Sequence, residues 1–197
     1  MLKEVRQAVL FTAVTMVLFG GSYHIVLWGV GRLAFPGQAE GSLVRRPDGT
    51  VAGSRLIAQQ FTRPEYFHSR PSAVDYNAAA TGGSNHGPSD PVHLKAVRAR
   101  LDAVVSQERV TAREVPSEMI TTSGAGLDPH IPPAAAAIQA RRVASARAVD
   151  VGEVLGLVRA RTEPPGLGFL GRPRVNVLEL NLALDAAFGR PAAAPGR

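Results

Sequence analysis

The sequence predicts a single transmembrane helix followed by a helix-rich α+β domain. Three observations carry this. The stretch from Gln7 to Gly31, QAVLFTAVTMVLFGGSYHIVLWGVG, holds no formally charged side chain. Beyond it, apolar residues recur at spacings of three and four in several segments, the mark of amphipathic helices. Between those segments lie loops dense in Gly and Pro, with short extended or alternating pieces that fit small strands.

The uncharged run comes first. At about 1.5 Å per residue it spans roughly 37 Å as a helix, enough to cross a hydrocarbon core of about 30 Å with some tilt. Tyr23 and Trp28 stand toward its C-terminal end, where interfacial aromatics are favoured. A secretory signal is the alternative, with Gly37-Gln38-Ala39 as a small-residue cleavage site. Its apolar region would be only about 7–15 residues, so the run reads as a retained anchor. Gly20, Gly21 and Gly29 are candidate helix-packing positions, because small residues let a second helix approach closely. His24 is the one ionisable group in the span, and near the aromatic end it reads as interfacial. Lys3, Glu4 and Arg6 precede the run, and Arg32, Arg45 and Arg46 follow it. That balance leaves the orientation open.

The organisation is therefore a short N-terminus over residues 1–6, a span over 7–31, a Gly/Pro-rich linker over 32–53, a folded domain over 54–189 and a disordered tail over 190–197. At the start of the domain, Ser54 precedes Leu56, Ile57, Gln60 and Phe61, which predicts a short capped helix ending before Pro64. Residues 64–91 form a long irregular stretch whose aromatics, Tyr66, Phe67 and Tyr76, argue for an ordered, packed loop. A helix follows, capped by Ser89 or Asp90 with Pro91 in its first turn. Its apolar face is Leu94, Val97, Leu101, Val104 and Val105. Lys95, Arg98, Arg100, Asp102 and Glu108 read as a solvated surface. A second helix is expected over Ala134–Ala148. Asp150 and Glu153 have capping-box spacing before Val151, Val154, Leu155 and Val158. Residues 162–173, TEPPGLGFLGRP, are a turn-dense loop. Asn176 and Glu179 have the same capping-box spacing before Leu180, Leu184 and Phe188. The alternation of Leu178, Leu180, Leu182 and Leu184 leaves a strand open there.

The composition excludes several chemistries. The chain has no cysteine, hence no disulfide, zinc-thiolate site or thiol nucleophile. Its net charge is +6, but the arginines are dispersed, which does not favour nucleic acid. None of the five histidines form a local metal pair. GGSNHGPS at 82–89 lacks the Gly-Lys-Ser/Thr of a phosphate loop, and no G-x-S-x-G elbow occurs. Ser123, Asp128 and His130 lie close in sequence, and a membrane-tethered hydrolase using them is the alternative function. Proximity in sequence does not supply triad geometry. The bland account of TTSGAGLDPHIPP at 121–133 is a tight, self-bonded turn. Gly124 and Gly126 permit positive φ, Asp128-Pro129 initiates a turn, and Pro132-Pro133 presets a helix start. The candidate turn-forming or partner-facing residues are Gly82, Gly83, Ser84 and Asn85, with Thr122, Ser123, Gly124, Gly126, Asp128, Pro129 and His130. Catalytic and metal-binding residues are expected to be absent. Any help with a cation would have to come from carbonyls or a particular acid such as Asp128.

Several blocks together resemble one family. They are the N-terminal span, FTRPEYFHSRPSAVDYNAAATGGSNHGPSDP at 61–91, TTSGAGLDPHIPPAAAAIQARRVASAR at 121–147 and RVNVLELNLALD at 174–185. In this order, over nearly the whole chain, they are similar to the KdpC family, the C chains of the Kdp potassium-transporting P-type ATPase. Departures are His86, where a leucine is usual, and Ser117-Glu118-Met119, where Val-Asp-Leu is usual. Residues 106–115 match nothing distinctive. The resemblance implies a non-catalytic accessory subunit of an ATP-driven, high-affinity potassium uptake complex in the bacterial inner membrane. The implied partners are a channel-like potassium-binding subunit, a P-type ATPase catalytic subunit and a small membrane peptide, besides membrane lipid. ATP and potassium would be handled by the complex, and this chain alone is expected to bind no cofactor. The family places the N-terminus in the cytoplasm and the α+β domain on the extracytoplasmic side. Two roles are implied: assembly or stabilisation of the pump, and a chaperone-like increase in the ATP affinity of the catalytic subunit.

Overall fold

A computed structural model, which describes residues 1–191, shows an apolar helix and a helix-rich domain with small antiparallel sheets. Two compact units are distinguished, Met1–Ser54 and Arg55–Arg197. In the first, one continuous helical rod covers Leu2–Ala34. It comprises α1 (Leu2–Thr15), a π-helical stretch (Met16–Ser22) and α2 (Tyr23–Ala34). The rod is longer than the uncharged run because its charged flanks continue the same backbone hydrogen bonds. The wider π turn falls at Gly20-Gly21, where helix propensity is lowest. The Ser22 hydroxyl donates to the Leu18 carbonyl there. No residue of the rod is buried, and Phe11, Phe19 and Trp28 stand about 70% exposed. So large an uncovered apolar surface calls for lipid or another helix.

The predicted linker is more ordered than its composition suggests. A short helix α3 (Pro36–Ala39) follows the rod. Strands β1 (Leu43–Arg45) and β2 (Val51–Ser54) then pair antiparallel. Asp48-Gly49 makes the connecting turn: the Asp48 carboxylate accepts from the Thr50 amide at 2.9 Å, and Gly49 adopts φ +82°.

The second unit opens differently from expectation. Residues 55–63 are irregular, not the predicted Ser54-capped helix. Their backbone groups are engaged elsewhere. The Ala58 amide donates to the Leu127 carbonyl at 2.8 Å, and the Gln59 carbonyl accepts from Ser69 Oγ at 3.0 Å. Tertiary bonds here override local spacing.

The principal helices are α4 (Pro91–Glu108), α5 (Pro133–Arg147), α6 (Val151–Ala160) and α7 (Val177–Phe188). Asp90 caps α4 by accepting from the Val92 amide. Asp150 caps α6 by accepting from the Gly152 amide, and Asn176 caps α7 by accepting from the Glu179 amide. Neither of the latter forms the reciprocal box. The Glu179 carboxylate turns instead to Arg55, 3.2 Å away. A box does form at Thr111–Glu114, in the segment with no distinctive motif. The open choice at 176–188 resolves as helix, because the Asn176 cap starts a turn directly after the strand.

A small antiparallel sheet has the order β3-β5-β4, with β3 His130–Ile131, β4 Thr162–Glu163 and β5 Arg174–Asn176. Ile131 and Thr162 flank Val175 on opposite edges. The core joins this sheet to α5, α6 and α7 through Ile131, Val143, Val154, Val175, Leu180 and Leu184. Ala135, Ala136 and Ala140 let α5 approach closely, as small buried residues do.

The solvated-surface expectation for α4 fails at Glu108, and Arg100 is also half-buried, donating to the Ile120 carbonyl at 3.3 Å. Leu94 is 53% exposed, whereas Glu108 is only 5% exposed and is the buried residue of this helix. Both Glu108 oxygens accept from Arg142 Nε, at 2.9 and 3.1 Å. Helical spacing could not reveal that α5 presents a guanidinium there. Residues 190 and 191 lack regular structure, and the rest of the predicted tail, 192–197, lies outside the described residues.

The long loop is ordered by two buried amides. Phe67 is fully buried, and its amide and carbonyl pair with Asn181, at 2.8 Å to Oδ1 and 3.0 Å from Nδ2. His68 pairs in the same way with Gln139, at 2.8 and 3.3 Å. Asn181→Leu keeps the volume but orphans two backbone groups at about 1–3 kcal/mol each. Unfolding of the full chain in detergent should show a loss of roughly 2–6 kcal/mol, whereas Asn→Leu at exposed Asn77, which loses only a turn bond from the Ala79 amide, should cost far less.

Candidate functional site

Two of the Gly- and hydroxyl-rich segments meet. The Gly82 amide donates to the Ala125 carbonyl at 3.0 Å, and Thr81 Oγ1 donates to the same carbonyl at 3.2 Å. Thr122 Oγ1 reaches Ser84 Oγ at 3.5 Å. Gly83 is tightly placed, since an added Cβ would lie 3.0 Å from the Gly124 carbonyl oxygen and that backbone would have to give by a few tenths of an ångström. Gly126 must be glycine for both space and conformation. Its φ is +71°, and a Cβ there would stand 2.7 Å from Val74 and 2.9 Å from the Gly82 carbonyl. Gly124, which as glycine permits positive φ, does not adopt it, and nothing lies near its Cβ position. The strain falls one turn later, where the chain closes on residues 72–82. Asn85 is exposed at φ +53°, a conformation asparagine tolerates better than most side chains.

A third segment, which motif reading did not single out, locks the pair together. Ser72 Oγ donates to the Gly126 carbonyl at 2.7 Å and accepts from the Val74 and Tyr76 amides. Asp75 and Tyr76 both adopt left-handed φ, at +50° and +57°. Such a pair of non-glycine residues is costly unless its surroundings enforce it. The Tyr76 hydroxyl supplies part of that by donating to the Arg70 carbonyl at 2.7 Å. The sequence signal for this turn was Ser72 two residues before Val74, a side chain placed to bond its own backbone.

Asp128 is the electrostatic centre. Its Oδ2 accepts from Arg70 Nη1 at 3.1 Å, and its Oδ1 accepts from the His130 amide at 3.0 Å. His130 Nδ1 stands 3.4 Å from the same Oδ1. Burial alone would raise the Asp128 carboxyl; the His130 side chain and amide, together with Arg70, outweigh it and hold the group below its ordinary value. Both oxygens thus make bonds within the fold, one to Arg70 and one to His130. Pro129 is buried, and its carbonyl accepts from the Val177 amide at 3.0 Å, tying the turn to the start of α7.

This arrangement is not a hydrolytic triad. Ser123 is buried, and its Oγ accepts from the Asp128 amide at 3.4 Å. Among the described residues no hydrogen bond joins Ser123 Oγ to His130, so the base does not face the nucleophile. No group of three or more acids, histidines or cysteines able to hold a metal occurs among the described residues. In the rod, Gly21 and Gly29 have nothing within 4 Å of their Cβ positions, and Gly20 has only Met16 of its own helix.

A second polar cluster gave no motif. Arg142 donates to Glu108, to the carbonyls of Pro64 and Tyr66 and to Gln139. Arg147, whose side chain is 3% exposed, donates to Asp185 and to the Glu65 carbonyl, and lies over the Tyr66 ring at 4.9 Å. The Tyr66 hydroxyl donates to Asp185 at 3.0 Å. Each arginine braces the 64–67 loop against a helix.

Comparison with known proteins completes the picture. Residues 5–186 match the family model described as K+-transporting ATPase, c chain. A protein of Beijerinckia indica, named potassium-transporting ATPase KdpC subunit, is 47% identical over 190 residues, covering 95% of this chain and 96% of that relative. Proteins of the same name from Gemmatimonas aurantiaca and Polaromonas naphthalenivorans are each 48% identical, covering 94% and 97% of this chain and the same shares of theirs.

Two outcomes follow from the geometry. Gly126→Ala should destabilise the chain by about 1–3 kcal/mol through positive φ and overlap, and open residues 72–85 to protease, while Gly124→Ala is tolerated. Asp128 has a lowered folded value, so its contribution is present above the ordinary carboxyl value, about 3.9, and is lost as pH falls through the folded value. Denaturation between pH 7 and pH 2 should show Asp128→Asn less stable than the parent near neutrality, with the difference shrinking in acid.

Proposed function

Because the chain belongs to the KdpC family of potassium-transporting ATPase C chains, we propose that it assembles and stabilises the pump as a membrane-anchored scaffold. The family membership makes it a non-catalytic subunit of that ATPase. The observation that carries the scaffold reading is a candidate turn whose Ser123 and Asp128 are bonded within the fold, in a chain with an apolar rod that has no buried residue. A scaffold needs a fixed surface and an anchor, and both follow from these features.

In this reading residues 7–31 cross the bacterial inner membrane, residues 1–6 lie in the cytoplasm and residues 54–189 form an extracytoplasmic domain. Gly20, Gly21 and Gly29 are the packing face toward a partner helix. The rigid turn of Gly82–Asn85 and Thr122–His130 is a partner-facing surface. The partners are the channel-like potassium-binding subunit, the P-type ATPase catalytic subunit and the small membrane peptide. ATP and potassium are bound by those subunits, not by this chain. An increase in ATP affinity then arises indirectly, by differential binding to pump conformations, because the nucleotide is cytoplasmic.

Purification in mild detergent tests the scaffold. The parent should bring down the other subunits, and a cell lacking this chain should fail to grow at micromolar potassium. Gly20→Leu/Gly21→Leu should reduce recovery of partners by about tenfold or more, with the folded domain intact by circular dichroism. Recovery of the parent chain alone would sink the reading. Single cysteines, introduced into a sequence that has none, test orientation: an impermeant maleimide should label Ala78→Cys from outside intact spheroplasts and leave Lys3→Cys unlabelled.

A further inference from the structure

The most exposed apolar cluster outside the membrane rod is a loop tip. Leu167 is 84% exposed, Phe169 75% and Leu170 54%. Isolated exposed leucines need no explanation, but three large apolar side chains within four residues do. The tip is also rigid. Gly166 and Leu170 exchange two backbone hydrogen bonds at 2.8 Å, the Gly168 amide donates to the Pro165 carbonyl and the Phe169 amide to the Gly166 carbonyl. Leu167 sits at φ +52°, where asparagine or glycine would be less strained. The loop thus holds a leucine in an unfavourable conformation and leaves its side chain uncovered.

We propose that the Leu167–Leu170 tip is a docking knob that inserts into an apolar pocket with an acidic rim on another subunit of the pump. The occupant follows from charge and shape. Arg172 beside the tip makes no ion pair with the described residues, whereas Glu163, the acid of this loop, is committed to Arg174 at 2.9 Å. The uncompensated charge near the tip is therefore positive and matches a carboxylate. A protein pocket selects a fixed shape, which the bonded turn supplies in advance at low ordering cost. A bilayer selects no shape and favours clustered basic residues. The inference rests on the chain being a pump subunit.

The test uses the full chain carrying Pro173→Cys, an exposed position beside the tip that leaves its three apolar side chains in place, with a single thiol because the parent has none. Reaction with a water-soluble maleimide is followed by the mass of this chain. Labelling should be at least tenfold slower in the purified complex than in the chain alone in the same detergent. Leu167→Asn relieves backbone strain, so it should leave the thermal midpoint unchanged or raised, yet cut partner recovery about tenfold. Equal labelling rates together with normal assembly of Leu167→Asn would overturn the knob. Protection of the thiol in phosphatidylcholine/phosphatidylglycerol vesicles without partners would also overturn it, in favour of lipid. If the parent recovers no other subunit, the pump reading itself fails. Recovery of partners with an unprotected tip and normal Leu167→Asn assembly defeats the docking inference alone.

Discussion

Two buried side-chain amides carry the order of the domain. Residues 55–90 contain no helix or strand, so their backbone groups must find partners one at a time. Asn181 and Gln139 each offer one donor and one acceptor, which is what a neighbouring strand would offer at a paired residue. By bonding Phe67 and His68 they seat the Phe67 ring in the core. The rest of the loop hangs from that point: Arg142 and Arg147 fasten residues 64–66, and Ser72 fastens the turn to Gly126.

The buried charges follow the same logic. Burial pushes the Glu108 carboxyl above its ordinary range even though Arg142 opposes the shift. Such a pair is weak evidence for stability, yet removing either partner would strand a charge. Its geometry ties the end of α4 to α5 and to the loop at once. His68, next to it, is held below the usual histidine range by burial and then by Arg142, against the opposing bond to the Arg63 backbone. These groups resemble an active site in density of polar contacts, but each is consumed by the fold.

That consumption bears on function. A site for chemistry leaves groups uncommitted and aimed at a space. Here Ser123, Asp128 and His130 face backbone and one another, while apolar surface remains uncovered on the rod and at Leu167–Leu170. The candidate turn keeps these polar groups bonded within the fold, while the rod and the Leu167–Leu170 tip leave apolar surface uncovered.

The sequence by itself determined the apolar span, the helices of residues 91–108, 133–147 and 151–160, and the family. Those signals are local: an uncharged run, a cap, a spacing of three or four, an ordered set of motifs. Asp90-Pro91 and Asp150 were legible as caps for that reason. The candidate turn was half legible. Its glycines, Asp128 and His130 stood out, but not Arg70, Ser72 or Tyr76, which come from a different loop. Only the tertiary structure decided that Glu108 is buried, that residues 55–63 forgo a helix for bonds to Leu127 and Ser69, and that 177–188 is helix rather than strand. For the first two the physical reason is common: each depends on a donor or acceptor supplied by a distant segment, as Arg142 does for Glu108, and no local periodicity encodes where that partner will stand. At 177–188 the cap is local, but the alternating leucines fit either element until Asn176 is seen to bond the Glu179 amide.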